Sequence, residues 1–212
     1  MMLILSLASF PLSAQTPESP AERWDTRYDR EEYLYGKEPV EFLRQQVDRL
    51  GSGDALVLAM GEGRNAVYLA GQGFQVTGVD VSKVAIGKAK RLAAERDVEI
   101  EAVQADLTQY DLGKERYDLI TNFYFLERSL FPKIIDALKP GGVFILEHFS
   151  TDHAKIGPKF GPRNPAYLLE PGEALEAFKG LRVLYYEDRV VEVDEGMHKG
   201  PAALIRLIVQ KP

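Results

Sequence analysis

The chain has 212 residues, 45% of them hydrophobic, enough apolar side chain for one domain with a full core. With 26 Lys and Arg against 32 Asp and Glu the formal charge is -6 and the isoelectric point about 5.2, so composition offers no basic face for nucleic acid or anionic lipid. The absence of cysteine excludes disulfides, thiol nucleophiles and thiolate zinc sites, and the three histidines lack metal-ligand spacing. The expected partner is a small molecule, with no metal, no membrane span and a monomeric state.

Residues 1–14, MMLILSLASFPLSA, are an apolar block too short to span a bilayer as a helix. The polar stretch that follows gives it the outline of an export signal, but no Lys or Arg precedes it and Leu12 sits where a cleavage site favours a small residue. Residues 1–19 are therefore read as a tail or signal-like segment and 20–212 as one domain. Cytoplasmic location is the expectation and export the alternative.

Residues 24–36, WDTRYDREEYLYG, are rich in aromatics and charge. A helix is predicted over 39–50, with Val40, Leu43, Val47 and Leu50 on one stripe. From Ala55 onward strands and helices alternate: strands at 55–60, 74–80, 98–104, 117–123 and 143–149, and helices at 64–71, 82–96 and 130–138, the second capped by Ser82. This pattern reads as βαβ units in a parallel sheet with helices on both faces. After a loop rich in Pro and Gly and a short helix at 173–178, two strands at 183–193 and 202–210 flank a turn at 195–201. That connection is too short for a helical crossover, so the pair is predicted antiparallel.

Between the first strand and its helix stands GEGRNA, residues 61–66, which fits G-x-G-x-x-G/A, with Asp80 ending the next strand. In a dinucleotide site such a loop receives a doubly charged pyrophosphate, and Glu62 would set like charge beside it. S-adenosylmethionine has no phosphate and carries a sulfonium, so an acidic loop suits it better. Asp80 is placed to accept from ribose hydroxyls and Asp106, ending the third strand, from the adenine amino group. Trp24, Tyr28, Tyr33 and Tyr35 could roof a sulfonium by cation-π attraction. A nicotinamide-dependent oxidoreductase and a cofactor-binding protein without turnover are the competing readings.

The ordered set GEGRNAVYLA, VDVS, ADL, YDLI and LKPGG resembles the class I S-adenosylmethionine-dependent methyltransferases. RWDTRY and YGKEP at the front, with EGMH and IRL at the back, are similar to the tellurite-resistance-type branch. The resemblance covers about residues 23–212. It implies a Rossmann-like methyltransferase fold, a mostly parallel seven-stranded sheet of order 3-2-1-4-5-7-6 with a C-terminal antiparallel hairpin, and methyl transfer to small soft nucleophiles such as thiols or selenium and tellurium oxyanions. The implied cofactor site comprises Trp24, Tyr28, Gly61, Glu62, Gly63, Arg64, Asp80, Val81, Asp106, Leu107 and Asn122. On the acceptor side, His198 is the expected base, with His148 second, and Arg206 would steer an anionic acceptor. Two positions depart from the family: Val57 stands where many members carry the acid that orients the cofactor's amino-acid end, leaving Glu62 as the nearest substitute, and Met60 stands where a small residue is usual.

Overall fold

The computed structural model describes residues 18–212, so the signal-like block lies outside the described residues. Seven strands form one sheet: β1 (Asp54–Leu58), β2 (Gln75–Asp80), β3 (Glu101–Gln104), β4 (Tyr117–Phe123), β5 (Leu138–Phe149), β6 (Arg182–Glu195) and β7 (His198–Gln210). Their order is β3-β2-β1-β4-β5-β7-β6, as the resemblance implies. The pairs from β3 to β5 are parallel, and β7 is antiparallel to both β5 and β6.

The helices are α1 (Pro20–Tyr28), α2 (Glu41–Gln46), α3 (Arg64–Gly71), α4 (Lys83–Glu95), α5 (Leu130–Ala137) and α6 (Glu173–Ala177). Two apolar layers cover the sheet, because alternate residues of a strand point to opposite faces. One contains Leu56, Leu58, Ile120, Phe144, Leu146 and Leu207 with α5 and α6. The other contains Ala55, Val57, Leu119, Ile145 and Ile208 with α2, α3 and α4.

The structure departs from the predicted elements at several points, among them β3, which begins at Glu101, and β5, which begins at Leu138; three others bear on the site. The helix expected at 39–50 ends at Gln46 and tightens into a 3₁₀ turn at Val47–Arg49. The strands of the hairpin run on until only Gly196 and Met197 separate Glu195 from His198, because Gly196 takes a left-handed φ of 57° that a two-residue turn requires. His198 thus opens β7 rather than sitting inside a long turn. Helix α1 is new relative to the sequence reading. It begins with a complete capping box, Ser19 accepting from Glu22 N while the Glu22 carboxylate accepts from Ser19 N, and has Pro at its first position.

Candidate functional site

The bend after β1 is built from backbone that ordinary residues avoid. Gly61 (φ 56°) and Gly63 (φ 90°) are left-handed, the region glycine enters freely. A methyl group on Gly63 would lie 2.6 Å from the Ala89 Cβ, which fixes how closely the loop packs on α4. Ala59 also has positive φ, 47°, although it carries a Cβ. Met60 is accommodated because β2 has a glycine opposite: a Cβ on Gly78 would meet the Met60 sulfur at 2.1 Å.

Asp80 holds this loop. Its carboxylate accepts from Gly61 N at 2.8 Å and from Ser82 N at 2.9 Å, and burial pushes its pKa up against the pull of those amides. Val81 is partly buried beside it. Asp106 is exposed and spends one oxygen on Thr108 N and Oγ1, the Asx-turn role open to any Asp after a strand. Leu107 is buried in the core layer. At the end of β4, Asn122 is 1% exposed, and neither atom of its amide has a partner, an arrangement that calls for a ligand or water.

Glu62 corrects the charge argument made from the sequence. It is 4% exposed, its carboxylate takes the Lys88 ammonium at 2.7 Å and Leu34 N at 2.7 Å, and Lys88 also donates to the Glu32 carbonyl at 2.7 Å. The loop presents a neutral pair, so its charge does not discriminate between a sulfonium and a pyrophosphate, and Glu62 is not free to replace the missing acid at Val57. Lys88, on the buried face of α4, was missed because its partner lies 26 residues away. Arg64 is likewise engaged, bonding the Tyr35 carbonyl at 3.1 Å and Glu195 at 2.9 Å.

Helix α1 lies over the loop. Asp25 accepts from Ser82 Oγ at 2.6 Å and from Val84 N at 3.2 Å, docking α1 on the start of α4. Trp24 stacks on Tyr28 at 5.4 Å, and a Cβ on Gly61 would meet the Tyr28 hydroxyl at 2.9 Å, so two of the four predicted roof residues, Trp24 and Tyr28, lie at the glycine loop. Tyr35 lies edge-on to Tyr28. Tyr33 instead faces α4, with its hydroxyl on the Lys88 carbonyl at 3.1 Å.

The acceptor side forms around His198, whose ring contacts Tyr35 (4.8 Å between centroids), Phe160 (4.9 Å), Tyr124 (5.0 Å) and Phe149 (5.7 Å). Its Nδ1 is buried without a partner, and burial lowers its pKa to about 4, reinforced by the positive charge of Arg64. His148 is fully enclosed, its Nε2–H donating to the Tyr167 carbonyl at 3.0 Å. It too is held at about 4 by burial, and this bonding makes it a structural histidine. Arg206 corrects a second expectation. Its guanidinium is bound to Glu147 at 2.5 Å and Glu187 at 2.9 Å and lies over the Phe42 ring, so it is not a free charge for an incoming anion. Among the described residues no three His, Asp or Glu side chains converge to hold a metal, and no helix is long and apolar enough to cross a membrane.

Burial lowers the pKa of all three histidines, and at His148 and His198 the shift is large enough to make stability depend on pH. Their folded pKa values of about 4 lie below the unfolded value of 6.5, so below 6.5 the unfolded chain binds protons that the folded chain refuses. Their contribution is full above pH 6.5 and is lost as pH falls toward about 4. Burial shifts Asp80 and Glu147 upward, and they act in the opposite sense. The difference in stability between pH 7.5 and 5.5, read by urea unfolding, is expected to fall by about 1.4 kcal/mol in each of His148→Gln and His198→Gln. No change in slope in either variant refutes this assignment.

Residues 55–142 match the methyltransferase domain family. That stretch holds β1 to β4, the glycine loop and the start of β5. A protein of Geobacillus sp. (strain WCH70), a methyltransferase by name, is 32% identical over 145 residues, 64% of this chain and 58% of the relative. The chain thus spans less than two thirds of that relative's length. Among solved structures, TehB from Haemophilus influenzae matches with TM-score 0.69 and 19% identity over 82% of this chain and 63% of TehB. An enzyme converting a disulfide into a thioacetal during echinomycin biosynthesis matches with TM-score 0.68 and 19% identity over 90% and 91%. An S-adenosylmethionine-dependent methyltransferase from Methanosarcina mazei matches with TM-score 0.63 and 19% identity over 82% and 98%. These likenesses show a common fold.

The residues around the glycine loop fit S-adenosylmethionine. The left-handed glycines admit close approach of its amino-acid end, the Asp80 carboxylate retains lone pairs for the ribose diol, and the Asn122 amide supplies an unpartnered donor and acceptor. The fit is incomplete at Val57, which is 2% exposed within the core layer and leaves the ammonium without its usual carboxylate.

Proposed function

We propose that the chain transfers a methyl group from S-adenosylmethionine to a small soft nucleophile, a thiol foremost, with His198 as the acceptor-side base. The observation that carries this reading is the neutral imidazole of His198 enclosed by four aromatic rings. The cofactor supplies a methyl group already activated by its sulfonium. The protein's part is to align two reactants, exclude water and accept one proton.

Asp80 and the glycines hold the cofactor side, and Trp24 and Tyr28 roof it. A base with pKa about 4 does not ionise a free thiol, whose ordinary pKa is about 8.5. The sulfur proton becomes strongly acidic as the carbon–sulfur bond forms, and at that stage a weak neutral base suffices. The thiol is favoured over a selenium or tellurium oxyanion because Arg206 and Arg64 are both committed to carboxylates and the box is apolar. The neighbour that acts on sulfur in echinomycin biosynthesis is in keeping with this choice.

The test is incubation with methyl-labelled cofactor and a panel of small thiols, selenite and tellurite. Label is expected on thiols, and His198→Ala is expected to cut the rate by about 10²–10³. Equal rates in parent and variant would remove His198 from the mechanism. Label on the oxyanions alone would reverse the acceptor assignment.

A further inference from the structure

We propose that Tyr124 is the positioning residue of the acceptor side: its hydroxyl, tied to the Glu147–Arg206 pair, holds its ring as the wall that fixes the His198 imidazole. This rests on the reading of His198 as the acceptor-side base. Tyr124 follows β4 directly and has a φ of 61°, a left-handed backbone that a bulky residue adopts only when its surroundings impose it.

Those surroundings are specific. Tyr124 N donates to the Glu147 carbonyl at 2.9 Å, and its hydroxyl donates to Glu147 Oε1 at 2.5 Å. Glu147 Oε2 accepts from Arg206 Nε at 2.5 Å, and Arg206 Nη1 reaches Glu187 at 2.9 Å. Glu147 is fully buried. Such an expensive group is a rigid anchor only when paired on every side, and here a cation and a phenol complete it.

The anchored ring then meets two partners, His198 edge-on at 5.0 Å and Phe149 at 5.1 Å. His198 has no hydrogen bond on Nδ1 to orient it, unlike a base held by a carboxylate or carbonyl. Its ring direction is therefore set by the walls of the box. Tyr124 is the wall with a strained backbone and a charged anchor, and Arg206 acts in this arrangement by holding Glu147.

Two variants separate positioning from folding. Tyr124→Phe keeps the ring and removes the anchor. Tyr124→Gly keeps the left-handed backbone, which suits glycine, and removes the wall. Both are read by calorimetry with S-adenosylmethionine, by turnover, and by the ¹⁵N imidazole resonances of His198, assigned as those lost in His198→Gln. The expected result is cofactor affinity within twofold of the parent, shifted or broadened His198 resonances in both variants, and a kcat at least tenfold lower in Tyr124→Phe with acceptor KM changed less than threefold. His198 resonances that stay in place in both variants overturn the proposal, as does parental kcat in Tyr124→Phe. If the parent methylates no acceptor tested, the earlier reading fails on that count, and the resonances alone decide whether Tyr124 positions His198.

Discussion

Replacing Asp80 by asparagine is expected to weaken S-adenosylmethionine binding about a hundredfold, measured by calorimetry, with little change in the far-ultraviolet dichroism. The carboxylate has two jobs. It gathers Gly61 N and Ser82 N, and so joins the glycine loop to the start of α4, and it offers its remaining lone pairs to a ribose diol. A hydrogen bond to a charged acceptor contributes about 1.5–3 kcal/mol, so weakening two of them gives a factor near 10². Asparagine keeps the shape but turns one acceptor into a donor that opposes an amide N–H. An affinity within threefold of the parent would mean that the diol is held elsewhere and that Asp80 only braces the loop.

The second large effect is expected at Lys88. Changing it to methionine leaves the Glu62 carboxylate buried with only Leu34 N as donor, and breaking a buried pair in this way costs about 3–5 kcal/mol. Urea denaturation at pH 7 is the measurement. The double variant Lys88→Met with Glu62→Leu is expected to recover most of the loss, because removing both charges also removes the unpaired one. A single variant as stable as the parent would show that water reaches Glu62 and that the N-terminal segment around Leu34 is not held by it.

The sheet was legible because its signals are local. Apolar runs of strand length alternate with helical stripes, and the bounds of α3 and β4 fall where the pattern puts them. Helix α1 carried an equally local signal, the capping box from Ser19 to Glu22 with Pro20 between them, hidden beneath the aromatic and charged composition that follows. The glycine loop at Gly61 and Gly63 and its tie to Asp80 lie where spacing puts them, because loop and strand end are fixed by the fold. What a carboxylate or guanidinium does there was not readable. Glu62, Arg64 and Arg206 each find a partner far along the chain, at Lys88, Glu195 and Glu147 respectively, and a one-dimensional pattern assigns charge without assigning its counter-charge. Tyr124 left no trace for a similar reason: a left-handed tyrosine is chosen by tertiary packing, not by propensity.

The hairpin turn of β6 and β7 locks against the segment before α2: Gly196 packs on the Tyr35 backbone, Met197 N bonds the Leu34 carbonyl, and Glu195 accepts from Arg64 and from Glu41 N. Bonds that join residues 131 and 154 positions apart form late, since loop closure must precede them. During synthesis the parallel strands from β1 to β4 and the glycine loop emerge with no hairpin to cover them. The ring of aromatic side chains around His198 closes only with the final β strand, which supplies His198 itself.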